Sequence, residues 1–107
     1  MALGYQARAL LRGLDRTGEP ALLRGADAGR VHLARNVSDY AGQLGTANDN
    51  MSVRYTVATI NKAFAPRVHD ELVFVDAEGV PIPGEAYVLD RLAGDNGVTM
   101  RFIVSAA

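Results

Sequence analysis

A chain of 107 residues, 49% hydrophobic and 21% charged, has the size and composition of one globular domain. Its formal net charge of −1 leaves no global field to hold a polyanion, and the lack of cysteine excludes disulfides and cysteine-based zinc sites. No uncharged apolar run approaches the roughly 20 residues that span a bilayer, so no membrane partner is expected.

Leu3, Ala7, Leu10, Leu11 and Leu14 recur at helical spacing and predict a helix over about 3–14. Gln6, Arg8 and Arg12 fall on its other faces. The same three residues interrupt the apolar core that a signal peptide needs, so a soluble, non-secreted protein is expected. Gly13 and the run Asp15-Arg16-Thr17-Gly18 are the predicted stop. The apolar stripe has two readings: it packs on the domain's own sheet, or Leu3, Ala7, Leu10 and Leu11 dock on a neighbouring subunit.

Short strands separated by turn residues follow. Ala21–Arg24 is bounded by Pro20 and Gly25, and Val31 and Leu33 alternate within Arg30–Ala34. The stretch 35–50 carries Ser, Asp, Gly, Gln, Thr and Asn with scattered apolar residues and no period. It is expected to be a long irregular loop of the kind that carries function. Arg35, Asn36, Asp39, Tyr40, Gln43, Asn48 and Asp49 are its candidate partner-binding residues. Tyr40 would serve as interface anchor or fold back onto its own domain.

Val53, Tyr55 and Val57 predict a strand with one buried face, broken at Ala65-Pro66. Leu72–Val75 reads as a continuous apolar strand that turns at Asp76–Gly79. Val80–Ile82 pairs back before a second turn at Pro83-Gly84. Two β-rich runs around Gly94-Asp95-Asn96-Gly97 predict a closing hairpin over about 86–104. The expected fold is therefore mainly β: a small barrel or sandwich of six to seven short strands, with one N-terminal helix and one long irregular loop. A single domain spans 1–107.

Catalytic chemistry finds little support in the residues. His69-Asp70-Glu71 are sequence neighbours, which on a strand point to opposite faces and do not converge on a metal. Ser38, Ser52 and Ser105 have no nucleophile-elbow context, and nothing in the spacing of Asp70, Glu71, Asp76 and Glu78 requires them to meet. Gly94–Gly97 lacks the lysine-serine end of a phosphate loop, and Asn48-Asp49-Asn50 lacks the spacing and closing glutamate of a calcium loop. The expectation is no enzyme, no catalytic or metal-binding residue and no cofactor.

Toward the end of the chain, Pro66-Arg67-Val68-His69-Asp70-Glu71-Leu72 precedes a strand and turn. Gly84-Glu85-Ala86-Tyr87-Val88-Leu89-Asp90-Arg91-Leu92 and Gly94-Asp95-Asn96-Gly97 follow. In this order of parts the chain resembles the lambda-type phage head–tail joining (connector) proteins. Those are small β-barrels with an N-terminal helix and a long irregular loop. The layout covers nearly the whole chain and the residue-level match about its last third, with His69 standing where the family often has glycine.

The resemblance implies a structural virion component of a phage or prophage. Its copies would form a ring, with portal-side and tail-side virion proteins as the other partners. Each copy would be a monomer in isolation with weak self-association, located in the host cytoplasm during assembly and then in the virion neck. DNA contact would be incidental. The alternative is an OB-like nucleic-acid-binding barrel, for which Arg54, Arg91 and Arg101 are the available cations.

Overall fold

The computed structural model describes residues 5–38 and 54–107, apart from the side chains of residues 5–7, 36 and 38. Among these residues one α-helix, α1 (Tyr5–Thr17), precedes six strands: β1 (Glu19–Leu23), β2 (Ala26–Ser38), β3 (Arg54–Asn61), β4 (Glu71–Val75), β5 (Pro81–Asp95) and β6 (Thr99–Ala106). The strands close into a barrel in the order β1-β2-β3-β6-β5-β4, every neighbouring pair antiparallel. Of the two architectures the sequence allows, the barrel forms. Closure pairs β1 with β4, so neither strand keeps an open edge.

The interior is filled by Val31 from β2, Ala58 and Ile60 from β3, Leu72 and Phe74 from β4, Leu89 from β5, and Phe102 from β6. Burying each large apolar side chain contributes about 1.5–3 kcal/mol. Phe74 and Tyr87 meet edge to face, with ring centroids 6.0 Å apart at 84°.

Strand β3 departs from expectation. The alternation of Tyr55 and Val57 marks its outer face, while Ala58 and Ile60 point into the barrel. Val57 is nonetheless 4% exposed, because it packs with Ile103, Val37, Tyr55 and Ala93 in a second cluster outside the barrel. The β3–β6 seam is thus buried on both faces. A strand buried on both faces has no single apolar period, which is why one set of alternating residues misled.

Several boundaries also move. Helix α1 continues through Gly13 to Thr17, past the expected end at Leu14. It stops at Gly18, whose amide donates to the Leu14 carbonyl at 2.7 Å. A Cβ on Gly18 would lie 2.7 Å from that same oxygen and 3.0 Å from the Arg30 Cβ, so only glycine lets the helix end press onto β2. The expected loop 35–50 does not begin at Arg35, because β2 runs on to Ser38; the rest of that stretch lies outside the described residues.

The expected turn at Pro83-Gly84 lies within β5, but the ladder is interrupted there. Val73 pairs with Ala86, whereas Val75 pairs with Pro81. The residues between Pro81 and Ala86 therefore loop out, and with the turn Asp76–Val80 they form an arm.

Candidate functional site

The β1–β2 hairpin turns on Arg24 and Gly25, both left-handed, with φ of 54° and 79°. Two positive φ values are what a two-residue turn between twisted strands demands, and arginine rarely supplies one. Its guanidinium holds it there. Nη1 donates to the Asp70 carboxylate, and Nη2 reaches the Phe64 carbonyl at 3.2 Å. Asp70 Oδ2 also accepts the Arg67 amide at 2.8 Å. Among the described residues, the other two non-glycine positions with positive φ, Ala65 and His69, lie in the same β3–β4 connection. Asp70 is thus a structural lock, and its neighbours His69 and Glu71 are exposed. Among the described residues, no three His, Asp or Glu side chains form a metal-holding group.

A second lock crosses the barrel mouth. Tyr87 buries its ring in the core and its hydroxyl donates to Glu85 Oε2 at 3.1 Å. Arg35 Nη2, reaching across from β2, donates to the Tyr87 oxygen at 3.0 Å and to Glu85 Oε2 at 3.1 Å. These two acceptors, Tyr87 first, raise the Arg35 pKa above its ordinary value. Arg35 was expected to be a loop residue reaching for a partner; its described contacts are to its own barrel. Sequence reasoning missed Glu85 and Tyr87, since nothing in their spacing ties them to a residue fifty positions earlier. Beside this lock, Glu19, His32, Ile82 and Glu85 line an open depression of about 440 Å³. Glu85 is committed there to Arg35 and Tyr87.

Of the other candidate partner-binding residues, Asn36 lies in β2 with its side chain outside the description, as is that of Ala7 in α1. Leu3, Asp39, Tyr40, Gln43, Asn48 and Asp49 lie outside the described residues. The helical stripe divides. Leu14 is 7% exposed and packs down, Leu11 is half-buried, and Leu10 stands 46% exposed. The end of the stripe packs on the domain, and Leu10 in its middle is open.

The turn and return of the arm are legible in the sequence, but its residues were not among the candidate partner-binding positions. Its tip is closed by Asp76, whose Oδ1 accepts the amides of Glu78 and Val80, each at 2.9 Å. Val80 and Ile82, two residues apart, stand 55% and 37% exposed. The signal was present as Val80-Pro81-Ile82-Pro83, an apolar run too short and too proline-rich for a core strand.

On the outer face of β3, β6 and β5, Arg91 stacks over the Tyr55 ring at 5.5 Å. Arg101 lies on that face too, two residues before the outward Ile103. No helix among the described residues is long and apolar enough to cross a membrane. No family model and no curated protein matches the sequence.

Proposed function

We propose that this chain is a structural assembly protein of the phage head–tail joining type. It acts by binding copies of itself in a ring, together with virion proteins on the portal side and the tail side. The observation that carries the reading is where the exposed apolar side chains stand. Leu10 lies on the helix and Val80 and Ile82 on the arm, and Val68 and Leu92 are exposed elsewhere on the closed barrel. Exposed apolar side chains favour protein contact over small-molecule capture, which uses enclosed pockets. A closed barrel with an N-terminal helix is also the layout that the resemblance implies. Ring formation needs two different patches per copy, and helix and arm supply them. The protein would work in the host cytoplasm during assembly and end in the virion neck.

Deleting the gene from the genome that carries it, then imaging the particles, tests the reading. Filled heads and finished tails that fail to join are expected. Normally joined particles, or a locus with no portal, capsid or tail genes beside it, would overturn it.

The nucleic-acid reading keeps one observation in its favour, the outer face that presents Arg91, Tyr55 and Arg101 together. It expects single-stranded DNA to shift in a gel and the shift to fade steeply with salt.

A further inference from the structure

Charge divides this chain in a way its net value of −1 conceals. Helix α1 carries Arg8, Arg12 and Arg16 against a single acid, Asp15. All four side chains are exposed. Spaced by four, the arginines fan along one side of the helix. Between Arg67 and Arg91 the sequence has no lysine or arginine, while Asp70, Glu71, Asp76, Glu78, Glu85 and Asp90 are acidic. The arm lies within that acidic stretch, with Glu78 exposed at its tip.

Each pole also carries exposed apolar side chains. On the helix, Leu10 borders a face whose other border is Arg12 and Arg16, with Ala9 and Gly13 between them. A Cβ on Gly13 would meet nothing within 4 Å, so among the described residues nothing packs on the helix at that point. On the arm, Val80 and Ile82 are exposed, and Glu78, two residues before Val80, is exposed with them.

We infer that the occupant of the α1 face is the arm of a second copy of this chain. Val80 and Ile82 lie against Leu10, Ala9 and Gly13, and Glu78 stands opposite Arg12 and Arg16. The inference rests on the assembly reading and deepens it by naming the two surfaces that meet. They are different surfaces, so each copy offers one helix and one arm and the contact is head-to-tail. Opposed charge fixes which surface meets which and speeds encounter, while the apolar side chains supply the contact that persists. Two helices, or two arms, repel.

Sedimentation velocity over a concentration series tests this with two variants at exposed positions, Leu10→Asp and Ile82→Asp. Circular dichroism and thermal melts check that each keeps its fold. Wild type is expected to self-associate at high concentration and less so in high salt, where screening shortens to a few ångström. Each variant alone should associate roughly tenfold more weakly or worse. Mixed one to one, they should form dimers and nothing larger, because the Ile82→Asp chain keeps its helix and the Leu10→Asp chain keeps its arm. Glu78→Lys replaces Ile82→Asp should the latter unfold, with the same expected outcome.

Wild-type association that neither variant weakens, or a mixture that stays monomeric, would refute these surfaces and leave the assembly reading standing. A wild-type chain that is monomeric at every concentration and salt would refute the inference too. The gene-deletion experiment then decides the assembly reading independently.

Discussion

Arg24 occupies a backbone region where a Cβ crowds the following carbonyl, at a cost of about 1 kcal/mol. The side chain offsets that cost through Asp70 and the Phe64 carbonyl. Two substitutions separate the two effects. Arg24→Ala loses the contacts and keeps the strained Cβ, whereas Arg24→Gly loses the same contacts and removes the strain. Both should be less stable than wild type in urea unfolding, with the glycine variant about 1 kcal/mol above the alanine variant. Equal stability for the two would remove backbone strain from the account. Tyr87→Phe probes the other lock: a hydroxyl on a nearly buried ring loses its Arg35 and Glu85 contacts, at about 1 kcal/mol in the same assay. Neither lock could be read from the sequence. Asp70 read as a carboxylate with no required partner, and Arg35 as part of a loop, because long-range partners leave no local pattern.

Elements were legible where one apolar period ruled. The Leu10–Leu14 stripe, Leu72–Val75 and the run into Val104 were all read as helix or strand, and each is one. Legibility failed where tertiary pairing overrode local signals. Helix α1 runs through Gly13, β2 extends past Arg35, and β5 continues beyond the turn residues Pro83 and Gly84.

The β5–β6 hairpin was legible, and the contact that ties it to the end of β3 gives a pH signature. Asp95 accepts from Lys62 Nζ and from the Gly97 amide, each at 2.8 Å, and these bonds, Lys62 first, hold its pKa below 3.8. Over the window from 3.8 down to the folded value, the unfolded chain binds more protons than the folded one. The contribution is therefore complete above that window and lost as pH falls through it. Asp95→Asn should flatten this part of the stability profile and leave the rest unchanged, measured by urea unfolding from pH 6 to about pH 2.

At the scale of the whole molecule, the barrel is held by its most deeply buried seam. Ala58 and Ile60 face inward beside Phe102 and Val104, while Val57 and Ile103 are covered on the outside. Amides of β3 and β6 should therefore exchange hydrogen most slowly, and those of α1 faster, since Leu14 is its one deeply buried described side chain. Ile60→Ala should cost about 2–5 kcal/mol by chemical denaturation, because it opens a cavity in a wall that cannot collapse from either side. Slowest exchange in β1 or β4 instead would place the stable centre elsewhere.

The two prolines of the arm have a consequence for how this molecule ages in concentrated solution. A bare apolar strand end recruits its like through main-chain N–H groups and grows into fibres, but Pro81 and Pro83 have no N–H to offer. With every second donor missing, adhesion at this site leans on side chains. On the inferred contact, chains crowded together would come apart again on dilution.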